Sequence, residues 1–365
     1  MRIALDARYR TRSGGVSYIL NIVPALMAQK SAHEFVLIRF AEQDLPFPKD
    51  WPALIVPKGS AAHQAIWDQV VLPRFLVKSG IELYHPLKLM GTAFPSCPQV
   101  TVAHAIAQPF EGIFPQSMSE SLYWRFLGNK IFRKSAKIIA VSQFIRQFLI
   151  EKVGIRDDKI HVVHHGLDPT FRRLEPHSVA DAAREAPFLL TVGNIFPVKN
   201  HLLAIKVFAN LAAEFPSLRL KMAGSTSHEH FAVVAKAVAD HNLQDRVDFL
   251  GFVKAPQLAE IMNRATLLLM PSLTEGFPLT MIESMACGMA IIGSARGGIP
   301  EAGGNAIRLM DDPMDSASWT SATRELLNTP ALRETLSKAA IARAAGFSWP
   351  TAARETLRVY DSLQT

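Results

Sequence analysis

The chain has 365 residues, 49% of them hydrophobic, which favours two domains with ample apolar material for two cores. Gly and Pro are near average, and the two cysteines, Cys97 and Cys287, lie far apart outside any CxxC pair. Disordered, collagen-like, disulfide-framework and cysteine-zinc classes are therefore disfavoured, and a reducing cytoplasm fits. The net charge of +7 is uneven: residues 1–180 carry 22 Lys and Arg against 14 Asp and Glu, the remainder 17 against 18. A basic first half is either a solvated surface or an attractor of anionic lipid, phosphorylated substrate or nucleic acid.

The start MRIALDARYR reads as a strand, Arg2–Ala7, rather than a signal peptide. No apolar run approaches the ~20 residues that cross a bilayer. After Ser13-Gly14-Gly15, the residues Ile19, Ile22, Val23, Leu26 and Met27 recur at helical spacing. Phe35–Arg39, Glu82–Tyr84, Gln99–Ala103, Lys137–Val141 and Ile160–Val163 are strand candidates, and Ser142 suits the N-cap of a helix Gln143–Lys152. His164-His165-Gly166 reads as a strand end and hinge turn rather than a set of metal ligands.

A second alternating series starts near Pro187. Phe188–Val192, Leu218–Ala223, Val247–Leu250, Thr266–Met270 and Met289–Ile292 are its strands, and Leu203, Val207, Phe208 and Leu211 mark a helix face. Apolar strands alternating with amphipathic helices predict parallel sheets covered on both faces. The fold class expected is α/β, with two Rossmann-like, doubly wound domains. They are set at 1–170 and 171–347, joined through a linker in Asp168–Ala186. The helix 348–365 returns to the first domain on a stripe of Ala353, Leu357, Tyr360 and Leu363. Such sheets bind ligands at the carboxyl ends of their strands.

The densest chemical phrase runs from Pro271 through Glu275-Gly276-Phe277-Pro278-Leu279-Thr280 to Glu283 and Gly288. It follows a strand and opens a helix, with Pro278 suited to the first turn and the amides near Leu279 and Thr280 open to an anion such as a diphosphate. Two carboxylates there suit sugar and ribose hydroxyls better than phosphate, although a dipole-stabilised acid for Glu275 and a solvated one for Glu283 are alternatives.

Glu-x7-Glu with Gly-Phe-Pro-Leu resembles the donor signature of the retaining glycosyltransferases of family four, which have the GT-B fold. Val192-Gly193-Asn194 through Lys199-Asn200 resembles the family's phosphate loop. Arg246 through Gly251-Phe252-Val253 resembles its nucleobase segment, and Gly14-Gly15, Gly297-Gly298-Ile-Pro-Glu301 and Phe347-Ser-Trp349 fall where the family has them. The resemblance implies a nucleotide-sugar donor, GDP- or UDP-linked with GDP-mannose included, and a glycan or lipid-linked acceptor in surface polysaccharide assembly. It gives His104, Lys199 and Glu275 catalytic roles. It gives Gly14, Gly15, Gly193, Asn194, Lys199, Phe252, Val253, Glu275, Gly276, Phe277, Pro278, Leu279, Thr280 and Glu283 to the donor. Ala105 and Asn194 stand where the family often has Asp and Arg.

With no Asp-x-Asp triplet, no metal or other cofactor is expected. Nor is a nucleic-acid partner, because the cations are not interleaved with stacking aromatics. Loose contact with anionic membrane from a cytoplasmic or peripheral position is expected. The spacing around Gly14 does not fit a nicotinamide fingerprint. A glycosidase would leave the phosphate loop unexplained. A non-catalytic, degenerate nucleotide-sugar binder is the alternative from another class.

Overall fold

A computed structural model of the chain describes residues 1–9, 14–43, 45–87, 91–104, 127–175 and 186–364. They form two compact units, one from Met1 to Gly166 together with the segment from Ser348 onward, the other from Leu167 to Phe347. The boundary falls at Gly166/Leu167 rather than at 170/171, because the residues after it already pack on the second unit. Arg173 Nη1 donates to the Gly288 carbonyl at 3.3 Å and to Ser337 Oγ at 3.1 Å, and the Leu174 amide donates to Asn263 Oδ1 at 2.8 Å. Of the expected linker, residues 176–185 lie outside the described residues.

In the first unit, β1 (Arg2–Asp6), β2 (Glu34–Phe40), β3 (Ala53–Val56) and β4 (Leu83–Pro86) pair in the order β3-β2-β1-β4. β5 (Val100–Ala103), β6 (Lys137–Ala140) and β7 (Ile160–Val162) follow one another, and one bridge, Tyr84 to Gln99, links the two groups. Every pair is parallel. The helix Gly14–Met27 buries Tyr18, Ile19, Ile22, Val23 and Leu26, the 3.6-residue stripe seen in its sequence. The terminal helix Trp349–Asp361 packs beside it and is capped by Ser348 Oγ, which accepts from the Thr351 amide at 3.3 Å. Its buried face is Ala352, Ala353, Thr356, Val359 and Tyr360. Leu357 and Leu363 are half-buried, so the inward face is rotated from the expected stripe.

Ser142 does cap its helix, accepting from the Ile145 amide at 3.2 Å. That helix keeps α geometry from Gln143 to Phe148, widens to π turns over Leu149–Val153, and stops at Gly154, φ 72°.

In the second unit, β8 (Phe188–Val192), β9 (Arg219–Ala223), β10 (Val247–Gly251), β11 (Leu267–Met270), β12 (Ile291–Ser294) and β13 (Arg308–Met310) form one sheet, ordered β10-β9-β8-β11-β12-β13. All its pairs are parallel too. Leu189, Leu220, Leu267 and Ile292 from the sheet pack with Val207, Phe208 and Leu211 from the helix His201–Leu211 and with Trp319. Each such side chain, fully buried, contributes about 1.5–3 kcal/mol. The chain leaves β8 toward one edge, through β9 and β10, and returns to β11 on the other side of β8. Connections therefore diverge between β8 and β11, which opens a crevice at their carboxyl ends.

Candidate active site

The phosphate-type loop follows β8 and the Glu-x7-Glu phrase follows β11, so both lie at this crevice. The chain turns at Gly193, φ 147°, whose amide donates to the Ala223 carbonyl at 2.8 Å. A Cβ at Gly224 would lie 2.0 Å from the Gly193 oxygen, so the loops after β8 and β9 meet backbone to backbone. Asn194 Oδ1 accepts from the Ser225 amide at 3.0 Å. Its oxygen ties these loops together, so the residue serves the loop itself where sequence reading offered it only to the donor.

Pro197–Lys199 form a single 3-10 turn, and Asn200 takes the left-handed conformation, φ 52°, with its Nδ2 donating to the Pro313 carbonyl at 2.7 Å. This reversal starts the helix His201–Leu211. Lys199 Nζ donates to Glu275 Oε1 at 2.5 Å, with the two side chains 21% and 11% exposed. The Leu273 amide donates to the Val198 carbonyl at 2.8 Å, which joins the two loops beside that pair.

Glu275 is held from behind. The Gly298 amide donates to its carbonyl at 2.8 Å. A Cβ at Gly297, φ 60°, would sit 2.3 Å from the Glu275 oxygen, and one at Gly298 would sit 2.5 Å from the Gly276 oxygen. Both glycines are needed for this approach, and Gly297 also for its φ. Phe277 is buried edge-on against Phe347, centroids 5.5 Å apart.

Pro278 is the N-cap of the helix Leu279–Ala286 rather than a first-turn residue. The Leu279 amide donates to the Phe277 carbonyl at 3.0 Å, and the Met281 and Ile282 amides go to the Pro278 carbonyl. The Leu279 amide is thus committed to a turn, contrary to the sequence expectation, whereas the Thr280 amide has no acceptor within the helix.

Glu283 lies in the second turn, half-buried, and burial together with the nearby Asp168 carboxylate pushes its carboxyl up to about 8. It is neither a solvated acid nor, at neutral pH, mainly a carboxylate. Desolvation and a like charge both act against its ionised form.

A small cavity beside Lys199 is lined by Thr191, His201, Ser272 and Thr280. Thr191 Oγ1, His201 Nδ1 and, nearby in sequence to Glu275, Thr274 Oγ1 are buried with no hydrogen-bond partner among the described residues. Burial, then the Lys199 and His230 charges, push the His201 imidazole down to about 4, so it is neutral at physiological pH. Uncommitted buried polar atoms cost free energy unless something satisfies them. Sequence reading missed Thr191, Thr274 and His201. The one available signal was a His directly after Lys199-Asn200.

Phe252 and Val253 follow β10, past Gly251 at φ 65°. Phe252 is 64% exposed and offers an aromatic face, and Val253 is half-buried. Among the described residues, no group of His, Cys, Asp and Glu is placed to hold a metal ion.

The remaining expected residues belong to the first unit. Gly14 and Gly15 open the helix Gly14–Met27 rather than a turn before it, and residues 10–13 lie outside the described residues, as does Ala105. His104 follows β5, and its Nε2 is 2.7 Å from the Leu87 carbonyl, which assigns the proton to that nitrogen. The rings of Tyr18 and His165 lie 4.8 and 5.4 Å from it. In the same unit, burial and then the His104 charge push His85 down to about 3, and the Tyr360 hydroxyl and His85 Nδ1 share a hydrogen bond.

The family profile described as Glycosyltransferase Family 4 matches residues 12–171, and that described as Glycosyl transferases group 1 matches residues 175–343. A D-inositol 3-phosphate glycosyltransferase of Frankia alni is 30% identical over 277 residues, covering 72% of this chain and 68% of that protein. The same-named protein of Kineococcus radiotolerans is 28% identical, with 72% and 66% covered. The chain belongs to glycosyltransferase family four. The crystal structure of WaaG, a glycosyltransferase involved in lipopolysaccharide biosynthesis, has a TM-score of 0.79 at 16% identity over 97% of this chain and 98% of WaaG. Anabaena HepE, solved in complex with UDP and glucose, has 0.78 at 19% over 99% and 100%. The fold is GT-B, and the coarse activity is glycosyl transfer.

Proposed function

We propose that this glycosyltransferase moves a sugar from a nucleotide-sugar donor to a glycan or lipid-linked hydroxyl in surface polysaccharide assembly. On this reading it works without metal, retains the anomeric configuration, and acts on the cytoplasmic side with loose contact to anionic membrane. The observation that carries the donor reading is the Lys199–Glu275 pair at the β8/β11 crevice, beside the uncommitted Thr191 and His201 atoms. A diphosphate entering there draws Lys199 toward its oxygens and frees Glu275 for a sugar hydroxyl. Charge growing on the leaving diphosphate is then met by a cation and by amides already in place. Asn194 brings no charge, so Lys199 carries that duty in this unit. The leaving diphosphate takes the acceptor's proton on the face it departs from, which retains the configuration. His104 is the candidate for steadying the sugar in that step.

The names of the relatives favour a second acceptor reading, a soluble inositol phosphate. One experiment orders the donors: a thermal-shift panel of UDP, GDP and ADP with their sugars, followed by hydrolysis of whichever sugar binds. A ligand at a hundred times its Kd stabilises by about 2.7 kcal/mol. Binding with no sugar released to water or to any acceptor would leave a non-catalytic binder, and NMR of the first product decides retention. The acceptor is then separated by offering inositol 3-phosphate against lipid-linked glycans.

A further inference from the structure

The first unit holds a cavity of about 400 Å³, lined by none of the residues given to donor or catalysis above. It runs along β7, between the helix Gln143–Phe148 and the terminal helix Trp349–Asp361. β7 ends the strand order on this side, so its outer edge pairs with no strand among the described residues. The Val163 amide donates to the Ala140 carbonyl at 2.9 Å, so strand alternation turns the amide and carbonyl of Val162 outward, to the open edge. The walls beside it are planar and polar. Arg146 Nη2 donates to Asp157 Oδ2 and Arg358 Nη1 to Glu355 Oε1, each at 2.6 Å. His161 Nε2 is buried with no hydrogen-bond partner among the described residues, and such an atom costs free energy until something satisfies it. Val163 and Val359, both buried, add apolar surface.

Charge and length select the ligand. Each guanidinium in the wall already meets a carboxylate. Burial and then the Lys137 charge push the His161 imidazole down, so it is neutral at physiological pH. A small anion would have to displace Asp157 or Glu355 and then lie against its charge. A peptide added as a strand needs a row of outward amides, but β7 has three residues and the Ile160 amide is committed to the Asp157 carbonyl. What remains suits a neutral molecule whose many polar groups both donate and accept. Ligand pockets run from about 300 to 1,000 Å³, so this one stands at the small end.

We infer that the cavity between β7 and the terminal helix binds a neutral glycan, one or two sugar rings of it, apart from the donor crevice. A guanidinium has five N–H donors, so Arg146 and Arg358 can each keep their carboxylate and still donate to a ring hydroxyl. The Glu355 carboxylate accepts from a neighbouring hydroxyl, another hydroxyl satisfies His161 Nε2, and the C–H face of the ring lies on Val163 and Val359. The use of such a site rests on the glycan acceptor proposed above. A chain gripped here stays with the enzyme between transfers, which lowers the KM for acceptors long enough to reach both places and leaves donor hydrolysis unchanged.

The test is saturation-transfer NMR of the full chain with maltose, lactose and mannobiose, with inorganic phosphate and a blocked tripeptide as competitors. Hydrolysis of a soluble nucleotide sugar is followed in parallel. At least one disaccharide is expected to bind saturably. His161→Phe weakens that binding about fivefold, the loss of one neutral hydrogen bond. Glu355→Ala with Arg358→Ala weakens it about tenfold or more, the loss of charged ones. Both variants keep wild-type melting and donor hydrolysis. No saturable binding of any of the three sugars, or variants that bind like wild type, overturns the assignment. Displacement of the sugar by phosphate or by the tripeptide also overturns it, and gives the cavity to an anion or to a peptide. Failed donor hydrolysis in wild type counts against the transferase reading alone and leaves the sugar-binding result standing.

Discussion

Under the proposed function, Glu283 is expected to link donor binding to a proton. With its carboxyl pushed up to about 8, the free protein holds it mostly protonated at pH 7, whereas accepting hydrogen bonds from ribose or sugar hydroxyls suits the ionised form. If the bound donor returns it to the ordinary glutamate range, proton and donor compete. The cost of removing the proton is RT ln(1 + 10^(8−pH)), about 2.1 kcal/mol at pH 6.5 and about 0.2 kcal/mol at pH 8.5. Donor affinity is therefore expected to rise about 25-fold across that window, with nearly one proton released per donor at pH 6.5. His201, pushed down to about 4, stays neutral throughout and does not imitate the effect. Titration calorimetry in two buffers of different ionisation enthalpy counts the proton, and Glu283→Gln is expected to bind more weakly than wild type at pH 8.5 with a flat profile. Stability has the matching sign. A carboxyl raised on folding adds stability below its unfolded value of about 4.3, and this is lost as pH rises through about 8. Glu283→Gln should therefore gain on wild type in melting temperature over that interval. A wild-type affinity flat from pH 6.5 to 8.5, with no proton released, would refute the coupling.

Lys199→Ala and Glu275→Gln each remove one side of the ion pair at the crevice. Turnover is expected to fall by the loss of a charged hydrogen bond, about 1.5–3 kcal/mol, and unchanged steady-state kinetics in both would remove the pair from the mechanism. Gly297→Ala forces a Cβ to within 2.3 Å of the Glu275 carbonyl at a left-handed φ, so lower melting and lower turnover should appear together. Unchanged melting would show that the loop yields. Activity should survive EDTA, since Lys199 and helix amides meet the charge, and rescue of a chelated enzyme by magnesium or manganese would reverse that reading. His104→Ala should slow donor hydrolysis, and full activity would leave the residue a packing and hydrogen-bonding role in the first unit.

Strands with a continuous apolar run were legible because burial on both faces of a parallel sheet demands it. β8 falls on its expected residues, and β5, β9 and β11 begin one residue later. The two strands that escaped, β3 and β13, are edge strands. β3, Ala53–Val56, is an apolar run of only four residues that stays largely half-exposed, and β13, Arg308–Met310, is three residues with a charged start, so neither has the length of a central strand. The terminal helix was legible as a helix but not in its rotation. Thr356 is fully buried because its hydroxyl donates to the Ala352 carbonyl at 2.8 Å, which lets a polar residue take the place a leucine was expected to fill.

The site divides along the same line between local and distant causes. Glu275, Glu283 and Lys199 could be named from short phrases, because a strand followed by a loop and a helix start is a local design. What each carboxylate does there is set from elsewhere in the chain. Glu275 faces Lys199, which stands 76 residues earlier, and its backbone rests against Gly297-Gly298 from the loop after β12. Glu283, eight positions further on by numbering, meets burial and the Asp168 carboxylate. One phrase thus yields an acid already paired with a cation and another that holds its proton. A diphosphate competes for the partner of the first and a hydroxyl-bearing ring for the proton of the second. On the proposed function, donor capture is expected to be two exchanges, Lys199 from carboxylate to phosphate and Glu283 from proton to hydroxyl. The second makes binding sensitive to pH near neutrality, while the first places the enzyme's cation on the leaving group.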